Sequence, residues 1–310
     1  MNTMRSMKDL AQFDEISSTI RSFLGKPAYE RSGVMIYQTD CEMAMSRLPA
    51  GLIDLTVTSP PYNIGKEYEE IAAVDAYVNW CARWLQEVAR VSSATASFWL
   101  NLGYLQVPNR AKCLPIPYLL WDKVPLHFQQ EIVWHYGAGV AARKGFSPRN
   151  EKFLWYVVDP NRFTFNLDDI RDPNVKYPNQ KKNGKLKCNP LGKNPSDVWE
   201  FPKVTSGANR SSAERTRHPA QFPIAVIDRI VRACSNPSQI VMDPFLGSGS
   251  TAEVGLATGR FTLGFEIEPK YVQIAAERLE RFTEWRDAYR AQQVLPVLVE
   301  NQELSSLDLR

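Results

Sequence analysis

Apolar positions along this chain switch between two spacings in a repeating order. GVMIYQTD (33–40) and LIDLTVTS (52–59) are short runs rich in Val, Ile and Thr, and predict strands. Between them CEMAMSRL repeats its apolar residues at helical spacing, which makes the stretch a βαβ unit. The same alternation continues with an amphipathic helix over 75–91, DAYVNWCARWLQEVARV, and a strand over 95–102, TASFWLNL. QEIVWHY (130–136) and KFLWYVV (152–158) then predict a strand pair, the antiparallel edge of an otherwise parallel sheet. From about Asp159 to Arg217 the periodicity stops, and Pro, Asn, Lys and Gly dominate. It resumes as helix (222–234), strand (239–243), helix (250–259), strand (261–266) and helix (269–282). The expected fold class is α/β, a doubly wound and mostly parallel sheet interrupted by an irregular insertion. The divisions this suggests are an N-terminal extension (1–31), a first half (32–158), the insertion (159–217), a second half (218–282) and a helical tail (283–310).

Composition narrows the classes. With 310 residues, 44% of them hydrophobic, the chain can bury a sizeable core. It has no apolar run long enough to cross a bilayer, and MNTMRSMKDL lacks a signal-peptide core, so a cytoplasmic protein is expected. Five scattered cysteines form no CxxC pair and have no histidines at ligand spacing, which argues against both disulfides and a metal site. The net charge is only +3, yet residues 176–217 alone carry a net +7.

Chemistry concentrates at two places. In IVMDPFLGSGSTAEV, Asp243 ends a strand, and Gly247 and Gly249 precede a helix, where a ligand can approach unpaired N–H groups closely. A phosphate loop is excluded because no Gly-x-x-x-x-Gly-Lys pattern follows. Glu266 ends the next strand, where an acidic residue can accept both hydroxyls of a ribose, so the pair of features points to a nucleoside-containing cofactor. The second place is TVTSPPYN, where Pro60 and Pro61 fix a corner directly after a strand.

TSPPYN together with DPFLGSGST resembles the signature motifs of the S-adenosylmethionine-dependent DNA amino-methyltransferases, with the catalytic motif first, as in their circularly permuted β group. The resemblance spans about residues 32–282. It implies a Rossmann-like methyltransferase fold, S-adenosylmethionine as cofactor, double-stranded DNA as substrate and a homodimer. It also implies that Asp243, Phe245, Gly247 and Gly249 hold the methionine end of the cofactor and Glu266 the ribose. Asp40 would take the adenine amine, and His218 and Phe222 would close over the methionine portion. Asp40 is equally suited to be the N-cap of the helix that follows it.

The corner then acquires a task. An exocyclic aromatic amine is a poor nucleophile because its lone pair is conjugated into the ring. Acceptors aimed at its two N–H bonds, here Ser59 Oγ and the Pro60 carbonyl, would favour a tetrahedral nitrogen in the transition state. Tyr62 offers a face for a base flipped out of the duplex. Methylation at cytosine carbon is excluded, because it needs a cysteine nucleophile, commonly after proline, and no cysteine here follows one. Phosphate and base contacts are expected from the insertion, at Lys181, Lys182, Lys185, Lys187, Arg210 and Arg215, with Arg143 and Lys144 along the same cleft. Ser59 resembles the cytosine-N4 enzymes, whereas the continuation YNIGKEY resembles the adenine-N6 enzymes; the sequence leans to adenine N6, with cytosine N4 the alternative. A protein-amide or RNA methyltransferase and an inactive DNA-binding protein are the rivals. The permuted motif order opposes the first, and the intact motifs oppose the second.

Overall fold

The computed structural model describes residues 7–137, 139, 141–204, 212 and 214–282. In chain order its elements begin with α1 (Met7–Leu24), β1 (Tyr29–Arg31), β2 (Val34–Gln38), α2 (Cys41–Arg47), β3 (Ile53–Thr58), α3 (Val74–Val91) and β4 (Ser92–Leu102). A hairpin of β5 (Tyr104–Val107) and β6 (Ala111–Pro115), the single turn α4 (Pro117–Leu120), β7 (His127–His135) and β8 (Asn150–Val157) follow. The described residues of the irregular region hold a 3₁₀ turn at Leu167–Ile170, a small hairpin of β9 (Lys181–Lys182) and β10 (Lys185–Leu186), and β11 (Val198–Glu200). Then come α5 (Ile224–Cys234), β12 (Ile240–Asp243), α6 (Ser250–Thr258), β13 (Phe261–Glu266) and α7 (269–282).

Among the described residues one nine-stranded sheet runs in the order β1-β2-β13-β12-β3-β4-β8-β7-β11. The five strands from β2 to β4 are mutually parallel. Helices cover both faces of such a sheet, so its strands bury consecutive residues: all six of β13 and all four of β12 are buried. The expected strand pair is present, since β8 lies antiparallel to both β4 and β7. It is not the outer edge, because β11 from the irregular region adds parallel to β7. The reason is apolar: Trp199 on β11 stacks on Trp99 of β4 at 5.6 Å, and Trp99 stacks on Trp155 of β8 at 5.0 Å.

The first residues also contribute to the core. α1 buries Phe13 and Ile20 completely, and Phe13 meets Phe261 edge-on at 5.7 Å. Apolar residues at helical spacing, Phe13, Ile16 and Ile20, explain why this stretch packs down.

The register has one consequence for function. The parallel strands end at the same rim of the sheet, where β8 begins, since Leu102 pairs with Lys152 and His135 with Asn150. Thr39, Ser59, Asn101, Glu151, Asp243 and Glu266 therefore share one rim, at the point where the strand order reverses.

Replacing Trp199 with Ala should remove the contact that holds β11 and lower stability by about 3 kcal/mol. Urea unfolding should show this as a lower midpoint at unchanged slope.

Candidate active site

A cavity of about 490 Å³ opens at this rim and is bordered by the Ser59–Tyr62 corner, the Asp243–Ser248 loop, Glu266 and His218. Both motifs therefore face one space, although more than 180 residues separate them in sequence.

Asp243 joins the two. Its side chain is buried, and its Oδ1 accepts from the Thr58 hydroxyl at 2.7 Å and from the Phe245 amide at 3.1 Å. Oδ2 accepts from the Thr251 hydroxyl at 2.7 Å. Burial pushes this carboxyl up to about 6, while the three donors favour its charged form. The loop after it is stitched to β13 as well: the Gly247 amide donates to Glu266 Oε2 at 2.9 Å, and the Glu268 amide donates to Oε1 at 2.9 Å. Each Glu266 oxygen thus carries one N–H bond and keeps a lone pair for a further donor. Gly247 and Gly249 both adopt left-handed backbone, at φ +51° and +78°. A β-carbon on Gly247 would lie 3.0 Å from the His218 ring, so the residue is needed for space as well as for conformation.

His218 closes one side. Its ring stacks on Tyr68 at 5.9 Å and meets Tyr271 edge-on at 4.2 Å. Burial drives its pKa down to about 4, so the imidazole is neutral near pH 7, with Nδ1 placed 2.6 Å from the Ala220 carbonyl. The loop carrying Tyr68 is tied to α7, because Glu67 accepts from the Tyr271 hydroxyl at 2.6 Å and pairs with Lys270 at 3.2 Å. The stretch NIGKEY therefore builds a wall toward the His218 and Tyr271 side. Phe222 borders the cavity and also packs on Phe153 at 5.9 Å. Phe245 rests edge-on against Trp84 and Trp80. Asp40 caps α2, accepting from the Met43 amide at 2.9 Å, and borders the same cavity.

The corner itself is held from beneath. The Tyr77 hydroxyl donates to the Pro61 carbonyl at 2.9 Å, while Pro60 is buried and Ser59 half-buried. Ser59 Oγ donates to the Tyr62 hydroxyl at 2.9 Å, and that hydroxyl reaches Asn101 Oδ1 at 2.7 Å and Glu151 Oε2 at 3.2 Å. Burial, with the Glu151 charge adding to it, holds the phenolic proton on Tyr62 well beyond ordinary pH. Tyr62 thus meets the cavity as part of a hydrogen-bonded network, not as an isolated ring.

The expected DNA contacts are surface residues. Lys181, Lys182, Lys185 and Lys187 are exposed on and around the β9–β10 hairpin, and Arg143, Lys144 and Arg215 are exposed as well. Arg210 and the helical tail after residue 282 lie outside the described residues. Among the described residues no group of His, Cys, Asp or Glu could hold a metal ion, and no helix is long and apolar enough to cross a membrane.

Sequence reasoning missed Thr58, Thr251, Asn101, Glu151 and Lys203. A threonine inside each quoted motif, first in TSPPYN and last in DPFLGSGST, was the available sign for the first two. For Glu151 the only sign was an acidic residue at the start of an antiparallel strand, whose beginning shares a rim with the ends of its parallel neighbours.

Comparison with known proteins agrees with this geometry. The DNA methylase family profile matches residues 53–277. The Type II methyltransferase M.ScaI of Streptomyces caespitosus is 61% identical over 261 residues, covering 84% of this chain and 86% of that protein. The DNA adenine methyltransferase YhdJ of Escherichia coli is 32% identical over 254 residues, covering 79% and 82%. Among solved structures, the cytosine-N4-specific PvuII DNA methyltransferase superposes with a TM-score of 0.64 at 19% identity, over 84% of this chain and 94% of that one.

Two outcomes are expected. Gly247→Ala forces a β-carbon into left-handed backbone and against His218, and should weaken cofactor binding at least tenfold by calorimetry while circular dichroism stays unchanged. The second concerns pH. The folded His218 pKa is about 4 against 6.5 unfolded, so the unfolded chain binds more protons between those values. The stability associated with a neutral His218 is complete above pH 6.5 and is lost as pH falls toward 4. Asp243 works in the opposite direction but is common to both proteins, so wild type should lose stability relative to His218→Phe across this range in thermal melts.

Proposed function

The chain belongs to the DNA methylase family of N6 and N4 amino-methyltransferases, and from that premise we propose how its residues divide the reaction and which base they serve. The activity is site-specific transfer of a methyl group from S-adenosylmethionine to an exocyclic amino group in DNA.

The residues present fit that cofactor. Glu266 retains acceptor capacity for ribose hydroxyls, the Gly247 backbone opens to the cavity without a side chain, and the Phe245, Tyr68 and His218 rings offer apolar faces. When bound, S-adenosylmethionine supplies a methyl group activated by a sulfonium. Asp243 acts beneath the cofactor by holding the loop, through Thr58 and Thr251, at a fixed distance from the catalytic strand. His218 and Tyr68 exclude water beside it, and Asp40 borders the same space beyond the end of β2.

On the other side, Ser59 Oγ and the Pro60 carbonyl accept from the two N–H bonds of a flipped base, releasing its lone pair toward the methyl. Because Tyr77 pins Pro61, these acceptors are set before the base arrives, and no reorganisation is needed in the transition state. The observation that carries this reading is the Asp243 junction, which brings corner and loop to one cavity. The basic hairpin and Arg143 and Lys144 contact DNA phosphates. The working state is a homodimer in the cytoplasm, where the DNA substrate lies.

For the base, Ser59 is the deciding residue. In the stretch whose resemblance favours adenine, YNIGKEY, Tyr62 belongs to the corner, while the residues after it pack toward His218 and Tyr271 on the cofactor side. Of the residues that carry the two resemblances, only Ser59 would accept from the target amine, and its resemblance is to the cytosine-N4 enzymes. We therefore assign cytosine N4. Adenine N6 is the second reading, supported by the E. coli relative named as an adenine methyltransferase.

Incubating the enzyme with unmodified DNA and labelled S-adenosylmethionine should put label into DNA, and digestion to nucleosides should yield N4-methylcytidine in its deoxy form. N6-methyldeoxyadenosine would move the assignment to the second reading. Ser59→Ala should lower kcat by about 10²-fold or more.

A further inference from the structure

Ser59 poses a problem that the neighbouring side chains answer. A serine hydroxyl can donate or accept, and one that turned its proton toward the target amine would oppose the reaction. A carboxylate would have no such freedom and would bring a negative charge to the nitrogen as it becomes cationic. The corner has neither property of its own.

The chain of bonds behind it supplies both. Glu151 Oε1 holds Lys203 Nζ at 2.6 Å, and that ammonium sits 3.9 Å from the Tyr136 ring. Held in this ion pair, the carboxylate offers only acceptor oxygens to its other neighbours. Its second oxygen, Oε2, lies 3.2 Å from the Tyr62 hydroxyl, and the Asn101 Oδ1 at 2.7 Å is also an acceptor, since the Asn101 amide nitrogen donates to the Lys152 carbonyl. Tyr62 therefore has to direct its proton toward Asn101 and Glu151. Its oxygen is left to receive the Ser59 proton, as the 2.9 Å contact records. Ser59 then presents only lone pairs to the cavity. Serial hydrogen bonds ending on an anion reinforce each other, so the serine oxygen becomes a better acceptor than an isolated hydroxyl.

We propose that Glu151 is a positioning residue for methyl transfer, polarising Tyr62 and through it Ser59, so that a neutral motif receives the directional and electrostatic benefit of a carboxylate held two side chains away. The proposal rests on Ser59 being the acceptor for the target amine. Lys203 takes part by holding Glu151 in place. It lies within the basic segment, yet its ammonium is directed to Glu151 in the cleft. No bond to Glu151 changes in the reaction.

The test is a kinetic cycle on the full-length enzyme with DNA and labelled S-adenosylmethionine, measured in single turnovers. Wild type must first transfer label; if it does not, the functional reading fails, and that failure is separate from this one. Glu151→Gln keeps the shape and removes the charge. It should lower the transfer rate about tenfold or more, with the KM values for DNA and cofactor unchanged, because the interaction matters chiefly in the transition state. Glu151→Asp should restore part of the rate. In a Ser59→Ala background no hydroxyl remains to be polarised, so adding Glu151→Gln should change the residual rate less than twofold. A Glu151→Gln enzyme as fast as wild type would overturn the proposal. So would the same loss in both backgrounds, which would mean that Glu151 acts independently of Ser59, and so would a rise in KM that accounts for the whole effect.

Discussion

The buried Asp243 carboxylate is the constraint on which the rest depends. It takes hydroxyl protons from Thr58 at the end of β3 and Thr251 in α6, and an amide proton from Phe245 in the loop between β12 and α6. A charge buried in this way is tolerable only with its lone pairs occupied, and the donors available come from both halves of the site. Satisfying the carboxylate and aligning the Ser59–Tyr62 corner with the Asp243–Ser248 loop are thus the same event. The separation between a methyl donor and its acceptor must be held to a fraction of an ångström, and a short strand-to-strand junction does this better than loops on their own.

Around that junction the site divides into two sides. Toward α7 the walls are aromatic and neutral: His218 is held uncharged by burial and packed between Tyr68 and Tyr271. Toward β8 the walls are polar and connected, running from Ser59 through Tyr62 to Asn101, Glu151 and Lys203. The first arrangement suits a cofactor whose charge is to be kept from water. The second suits a base whose amine must be met by acceptors facing one way. The division also separates Ser59 and Tyr62 from the residues only a few positions beyond them, which face His218 and Tyr271.

Much of this was legible in the sequence. Hydrophobic periodicity located the parallel strands, and their ends named Asp243 and Glu266, because a strand end in such a sheet is a functional rim whatever the chemistry, while Ser59 was named by the resemblance of TSPPYN. The double role expected of Asp40 is half visible, as a helix cap bordering the cavity. Three things were not legible. β11 has only three residues, and its place in the sheet follows from a stack of tryptophans far apart in the chain, not from any local pattern. α1 lies in the stretch set apart as an N-terminal extension, and its part in the fold shows only in the burial of Phe13 and Ile20. Glu151 carries no motif at all, and its meaning comes from the direction of β8, which brings the start of an antiparallel strand to the rim where the parallel strands end. Local patterns fixed which residues could act, while strand direction and long-range packing decided which of them act together.

The central claim is that the corner built on Ser59 and Pro60 receives an exocyclic amine of DNA while the loop after Asp243 holds the methyl donor. A crystal structure of the enzyme with a duplex carrying its recognition site and a non-reactive analogue of S-adenosylmethionine tests this most directly. The account predicts a flipped base with its amine nitrogen within hydrogen-bonding distance of Ser59 Oγ and the Pro60 carbonyl, and the analogue's ribose on Glu266. A target base left in the duplex, or an amine held away from Ser59, would contradict it.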